Sequence, residues 1–164
     1  MFTQSLIREE YFNFVYDVFK PYCSAPPFPK QSFSKLVGAF NNLNFNTMTL
    51  PCFNFYQELF YKDGKKIVPI NIIEFLTPIS LSTWIMDDGT FTKRKQTLIL
   101  CTDGFTELEI ELLLTALRDK WELKCRKERA GKHYRIVIVK SSMDKVRTMV
   151  SKHFHSSMLY KIGL

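Results

Sequence analysis

The stretch Thr77-Pro78-Ile79-Ser80-Leu81-Ser82-Thr83-Trp84-Ile85-Met86-Asp87-Asp88-Gly89 constrains the chain most, because an apolar segment with helix-start signals closes on two carboxylates and a glycine. Thr77 suits the N-cap, and Pro78 fits the first helical position, where its missing N–H costs nothing. Gly89 is expected to end the helix in the left-handed conformation. The acids run against this pattern. A helix C-terminus carries partial negative charge, so each carboxylate there is disfavoured by roughly 0.3–1 kcal/mol unless a cation offsets it. A bound metal would be such a cation. Taken alone, the segment fits a capped amphipathic core helix with an acidic end equally well.

The rest of the chain has to decide. With 164 residues, 46% of them hydrophobic, it can bury one ordinary core or two small ones. Fifteen phenylalanines against six glycines exclude a low-complexity or disordered chain. No apolar run approaches the roughly 20 residues of a membrane span, and no basic region followed by an apolar core opens the sequence, so a soluble protein without signal peptide is expected. Cys23, Cys52, Cys101 and Cys125 are scattered and never spaced as CxxC, which points to neither a zinc site nor a disulfide framework, and a reducing compartment is the default. Charge is one-sided: Met1 to Gly89 holds seven Lys/Arg against eight Asp/Glu, whereas Thr90 to Leu164 holds sixteen against eight. That excess is the footprint of a nucleic-acid binder, though a generally basic protein shows it too.

Along the chain, aromatic and branched residues from Tyr11 to Phe19 mark an amphipathic helix over 7–20, ending before Pro21. Pro26, Pro27 and Pro29 hold an extended loop, and two strands are expected within Gln31–Leu50. Residues 52–60 suit a short buried helix, followed by a Lys62-Asp63-Gly64 turn. Beyond the acidic helix come strands at 91–95 and 97–102 around the basic turn Lys93-Arg94-Lys95. Thr106 and Glu109 then form a capping box opening a helix to Trp121, with Ile110, Leu113, Leu114 and Leu117 inside. A hairpin joins 123–128 to 133–139, its second arm alternating Tyr134, Ile136 and Ile138 with His133, Arg135 and Val137. Ser142 is expected to cap a last helix reaching Phe154.

Residues Leu81 to Gly89 resemble the nine-residue motif that gives the LAGLIDADG homing endonucleases their name, with Leu81 first, Asp88 eighth and Gly89 last. From Thr77 onward, the order helix, two strands, helix, two strands, helix is one complete unit of that fold. The resemblance therefore implies an α+β chain of the LAGLIDADG homing endonuclease fold: a complete αββαββα unit over 76–164, with motif helix 77–89, preceded by a partial unit over 1–75 that lacks its motif helix. The stretch ahead of Ile7 is too short to supply that helix. The likeness is greatest to the two-motif, single-chain endonucleases of organellar introns, and the Met158-Leu159-Tyr160-Lys161 ending is, with the motif, its most specific part.

What the resemblance implies is a site-specific endonuclease that hydrolyses phosphodiesters in double-stranded DNA with a divalent metal. Hard oxygen ligands select Mg2+, and Asp88 is the implied catalytic metal ligand. Lys66 and Lys161, each shortly after the last helix of its half, are implied to stand beside the scissile phosphates, although a lysine in such a place is ordinarily solvated. Asp87 is expected to be structural. Ser82, Thr83, Met86 and Gly89 are the positions of the motif helix expected to pack closely against a second one. Strands carry the DNA contacts, because a two-stranded ribbon fits the major groove, and the candidates are Lys93, Arg94, Lys95, Lys124, Arg126, Lys127 and Arg135. A complete site needs two motif helices and this chain has one. A separate N-terminal piece, a homodimer and a remnant that cannot cut all meet that arithmetic. The family also contains maturases, so intron RNA is the partner in an alternative reading, and a non-catalytic DNA-binding domain is a third. Mitochondrial expression follows from the resemblance alone, and no membrane partner is expected.

Overall fold

The computed structural model describes residues 1–34 and 38–164 and divides into two units, Met1–Phe55 and Tyr56–Leu164. The break falls ahead of the boundary expected at 75/76, because Val68 and Ile72 lie in the apolar core of the second unit.

In the first unit, β1 (Phe2–Ser5) leads into α1 (Glu9–Phe19), and β2 (Phe28–Ser34) and β3 (Gly38–Phe45) follow. β3 lies in the middle of an antiparallel sheet of order β1-β3-β2. The two strands expected within 31–50 are thus present but start earlier, and residues 35–37 lie outside the described residues. β1 is too short to carry a readable alternation and has no counterpart in the sequence reading. Its register with β3 is set by Phe2 opposite Phe45. Phe45 is the hub of an aromatic cluster, its ring 5.4 to 5.9 Å from those of Phe2, Phe12, Tyr16 and Phe19. Rings at such spacing add about 0.5–1.5 kcal/mol per pair beyond the area they bury. This explains how so small a unit holds a core.

α2 (Asn54–Phe60) begins after a 3-10 turn at Pro51–Phe53 and crosses into the second unit. None of its residues is buried, in contrast to the buried helix expected at 52–60. The short hairpin β4 (Tyr61–Lys62) and β5 (Lys65–Lys66), the single turn α3 (Ile72–Phe75) and α4 (Pro78–Asp88) come next. Then follow β6 (Gly89–Thr92), β7 (Thr97–Leu100), α5 (Glu107–Trp121), β8 (Cys125–Ala130), β9 (His133–Ile138) and α6 (Met143–Val150). The strands form one antiparallel sheet of order β6-β7-β9-β8. Leu98, Leu100, Ile136 and Ile138 line one of its faces and pack with Leu81 and Ile85 of α4, Ile110, Leu114 and Leu117 of α5, and Val146 and Val150 of α6. Each such side chain contributes about 1.5–3 kcal/mol by leaving water.

The expected order of elements from Thr77 onward is the observed one. Both helix starts are closed by reciprocal side-chain caps: Ser80 N–H donates to Thr77 Oγ1 and Thr77 N–H to Ser80 Oγ, and the same exchange joins Thr106 and Glu109. Ser142 makes no side-chain cap, because its buried hydroxyl accepts from Lys124 N–H at 2.8 Å instead, and α6 ends at Val150 rather than at Phe154. The two units also share a pattern. β1, α1, β2 and β3 correspond, in chain order and in strand pairing, to β7, α5, β8 and β9. Among the described residues the first unit has no counterpart of α4 or β6.

Candidate active site and nucleic-acid face

The C-terminus of α4 is where the motif residues gather. Gly89 is not left-handed as expected: its φ is −79° and ψ 150°, so the chain passes straight from helix into β6. Glycine is needed there for space. A Cβ would lie 2.5 Å from the carbonyl oxygen of Ile85, to which Gly89 N–H donates. The last carbonyls of the helix, which have no partner within it, are taken up by the rest of the unit. That of Asp88 accepts from Cys101 N–H at 3.1 Å, and that of Asp87 accepts from Lys161 Nζ at 3.0 Å.

Lys161 is therefore not a solvated lysine. It is 4% exposed, within a 3-10 turn at Ser156–Ile162. Arg147 fixes that turn by donating from Nε to Ile162 O at 2.8 Å. Gly163 ends it with φ 75° against the ring of Phe91, which a Cβ would approach to 2.4 Å. The ammonium sits where helix carbonyls concentrate negative charge, which favours it.

α4 has two unlike faces. Ser82 and Met86 are buried, Ser82 Oγ donating to Ile79 O at 2.6 Å and Met86 Sδ accepting from His155 N–H at 3.4 Å. Thr83 is exposed, with its hydroxyl bonded back to Ile79 O. Ser80, Thr83, Trp84, Asp87 and Asp88 line a cleft of about 460 Å³ within the second unit, together with Lys66 and Phe105. Asp88 is exposed, and its carboxylate has no ion pair or hydrogen bond among the described residues.

Lys66 reaches this cleft from β5, with its ammonium 5.9 Å from the centre of the Phe105 ring. The segment behind it is anchored by Glu109, whose Oε1 accepts from Val68 N–H at 2.9 Å while Oε2 accepts from Thr106 N–H. Desolvation, the largest single influence on Glu109, pushes its pKa up, but the hydrogen bonds from Thr106 and Val68 together hold it below the ordinary value. The capping box was legible in the sequence; its second use as a clamp on the Lys66 segment was not. Phe105, Arg147 and Phe91 were likewise missed as supports of the two lysines, because each acts across a long sequence separation.

The other face of the sheet turns away from the helices. Alternation along β8 and β9 puts Arg126, Glu128, His133 and Arg135 on it, with Val137 and Ile99 paired in one row. Val137 faces away from the helices as expected and is nonetheless buried. Lys127 points to the helix side, where it pairs with Glu107 and, at 2.7 Å, with Glu111, and lies over Tyr134. Arg126 pairs with Glu128 at 3.1 Å on the strand. Arg135 is held by Asp103 in a two-point contact, Nε to Oδ1 at 2.8 Å and Nη2 to Oδ2 at 2.5 Å. Hydrogen bonding from Arg135 above all, then its charge, lowers the Asp103 pKa to about 2 against an opposing desolvation. Lys93, Arg94 and Lys95 are exposed on the β6–β7 turn and take part in no ion pair among the described residues. Lys124 lies at the same end of the sheet, just ahead of β8.

An αββαββα unit whose first helix ends in an exposed acid, with a basic turn at the edge of its sheet, is the fold class of homing endonucleases. The solved homing endonuclease I-WcaI, bound to its DNA recognition sequence, superposes with a TM-score of 0.91 over 98% of this chain and 73% of its own, at 24% identity. The LAGLIDADG DNA endonuclease family profile matches residues 1–146, ending ahead of Lys161. An intron-encoded endonuclease, ai4, of Dictyostelium discoideum is 34% identical over 76% of this chain and 79% of its own length. The cytochrome b mRNA maturase bI2 of Debaryomyces hansenii is 33% identical over 74% of this chain and 46% of its own. The chain belongs to the LAGLIDADG DNA endonuclease family, a family of nucleases.

Proposed function

We propose that this chain is a homing-type endonuclease that cuts double-stranded DNA at a specific site with a divalent metal, its active centre completed by a second motif helix. The observation that carries this reading is the meeting of Lys66 and Asp88 in one cleft at the acidic end of α4.

No group of three His, Cys, Asp or Glu side chains able to hold an ion occurs among the described residues. Mg2+ does not need one, since it keeps several waters and takes one or two carboxylates together with substrate phosphates. An exposed Asp88 carboxylate, on a helix end whose carbonyls add negative potential, fits such an open site. A second acid from another motif helix would complete it. When bound, the metal supplies an activated water and neutralises charge on the phosphate. In this reading Asp88 holds the metal, Lys66 stabilises charge on the phosphate from across the cleft, and Lys161 fixes the end of α4 so that Asp88 points into it. Of the four expected packing positions, Thr83 is exposed on α4 and open to a second helix, whereas Ser82, Met86 and Gly89 are buried within the second unit. Lys93, Arg94, Lys95 and Lys124 approach phosphates, while Arg126 and Arg135 face the groove.

A second reading, an intron RNA maturase, is favoured by the maturases among the relatives. Their names also support an organellar, mitochondrial setting. Nicking of a plasmid library with and without Mg2+, with the mass of the chain in solution measured alongside, separates the two. Metal-dependent nicking by an assembly of two copies, or by the chain with an added N-terminal piece, is the expected result. Tight intron RNA binding with no cleavage in any metal would favour the maturase.

A further inference from the structure

The charged residues of the second unit's sheet are of two kinds. Lys93, Arg94 and Lys95 have no acidic companion among the described residues, whereas Arg135 is bound by a carboxylate. A carboxylate beside a cation repels an approaching phosphate. It suits a cation that meets a base edge, where orientation matters more than charge. Asp103 occupies Nε and one N–H of Nη2, the side of the guanidinium. The remaining edge, an N–H of Nη1 parallel to the second N–H of Nη2, is not committed to Asp103 and is the pair of donors that matches O6 and N7 of guanine.

Position agrees with this. Arg135 lies on the sheet face away from the helices, opposite Glu128 of β8. Leu100 pairs with Ile136, so the next residue, Cys101, stands beside Arg135, and Cys101 N–H donates to the carbonyl of Asp88. The guanidinium is thus at the end of the sheet where α4 presents Asp88, while Lys93–Lys95 lie at the other end.

We propose that Arg135 reads the major-groove edge of a guanine on the cleavage side of the recognition site, with Asp103 as its positioning residue. The inference rests on the reading of the chain as a DNA-acting protein. Both partners of the ion pair are partly exposed, and such a pair adds little to stability, so Asp103 is dispensable to the fold and its effect is separable from unfolding.

The test is selection of binding sites from a randomised duplex pool by the full chain, its Asp103→Asn and Asp103→Glu variants and Arg135→Lys, followed by direct binding to the selected duplex. The wild-type consensus is expected to contain a guanine whose replacement by 7-deazaguanine, which lacks N7 but pairs normally, weakens binding about tenfold. Arg135→Lys and Asp103→Asn should lose the preference at that one position and keep the rest of the consensus and the salt dependence. Asp103→Glu should restore part of it. The inference is overturned if the variants keep the whole consensus, if preference falls evenly at all positions, or if 7-deazaguanine is tolerated everywhere. Wild-type chain that binds no duplex in a salt-dependent way would overturn the endonuclease reading, a result distinct from these.

Discussion

Lys161 Nζ donates to the backbone carbonyl of Asp87 at 3.0 Å, so that a residue 74 positions further on closes the helix that presents Asp88. The contact places a buried cation on the negative end of α4, next to the exposed carboxylate in the cleft. Lys66 stands in the same cleft but on an exposed hairpin. Substitution should separate the two lysines. Lys161→Met leaves a partly buried carbonyl without its charged donor and is expected to cost about 1–3 kcal/mol of stability, read by urea unfolding. Lys66→Ala should change stability by no more than about 0.5 kcal/mol and still reduce DNA cleavage. Equal stability losses in both would contradict the distinction.

Gly89→Ala tests the passage from α4 into β6. The added methyl would fall 2.5 Å from Ile85 O and 2.8 Å from its Cγ2. The carbonyl belongs to the helix and cannot yield cheaply, so a loss of about 1–3 kcal/mol is expected. A variant as stable as the wild type would show that the chain can leave the helix differently.

How far the sequence told this fold in advance varies with the reach of the interaction. Thr77-Pro78 and Thr106–Glu109 are local signals, and both helices begin where those residues place them. The Lys62-Asp63-Gly64 turn and the 133–138 arm are equally local. Gly89 misled because the usual glycine at a helix end is left-handed, whereas here the constraint is a steric one from Ile85. Ser142 misled because a partner outside its helix, Lys124 N–H, takes the hydroxyl. Lys127 sits in the same run of basic residues as Arg126, and only the strand register, which puts neighbours on opposite faces, separates a helix-side ion pair from the open face. The burial of Lys161 depends on Phe91, Arg147 and Gly163 converging from three elements, and no periodicity in the chain records that.

The Asp103–Arg135 contact has a pH signature. Asp103 titrates at about 2, below its ordinary 3.8, so its contribution to stability is present above about pH 4 and is lost as pH falls through about 2. Both side chains are partly exposed, which limits that contribution to about 1 kcal/mol or less. Carboxylate NMR titration should place Asp103 near 2 in the wild type and return it toward the ordinary value in Arg135→Gln. An unchanged titration in that variant would show that Arg135 is not the cause.

Phosphate contacts are counted by salt. Replacing Lys93, Arg94 and Lys95 together by alanine should weaken duplex binding and flatten the dependence of log affinity on log salt by up to about 2.7, roughly 0.9 for each contact. Lys127→Ala should leave that slope unchanged, because its ammonium is engaged by Glu107 and Glu111 on the helix side. A slope altered equally by both would place Lys127 at the DNA.

The most direct test is Asp88→Asn, assayed for binding and for Mg2+-dependent cleavage on the same selected duplex and in the same assembly as the wild type. Asp88 is exposed and makes no described side-chain contact, so folding and DNA affinity should persist, while cleavage is expected to fall by at least about a hundredfold. Cleavage at the wild-type rate by Asp88→Asn would contradict the assignment of the metal to the end of α4, and with it the proposed active centre.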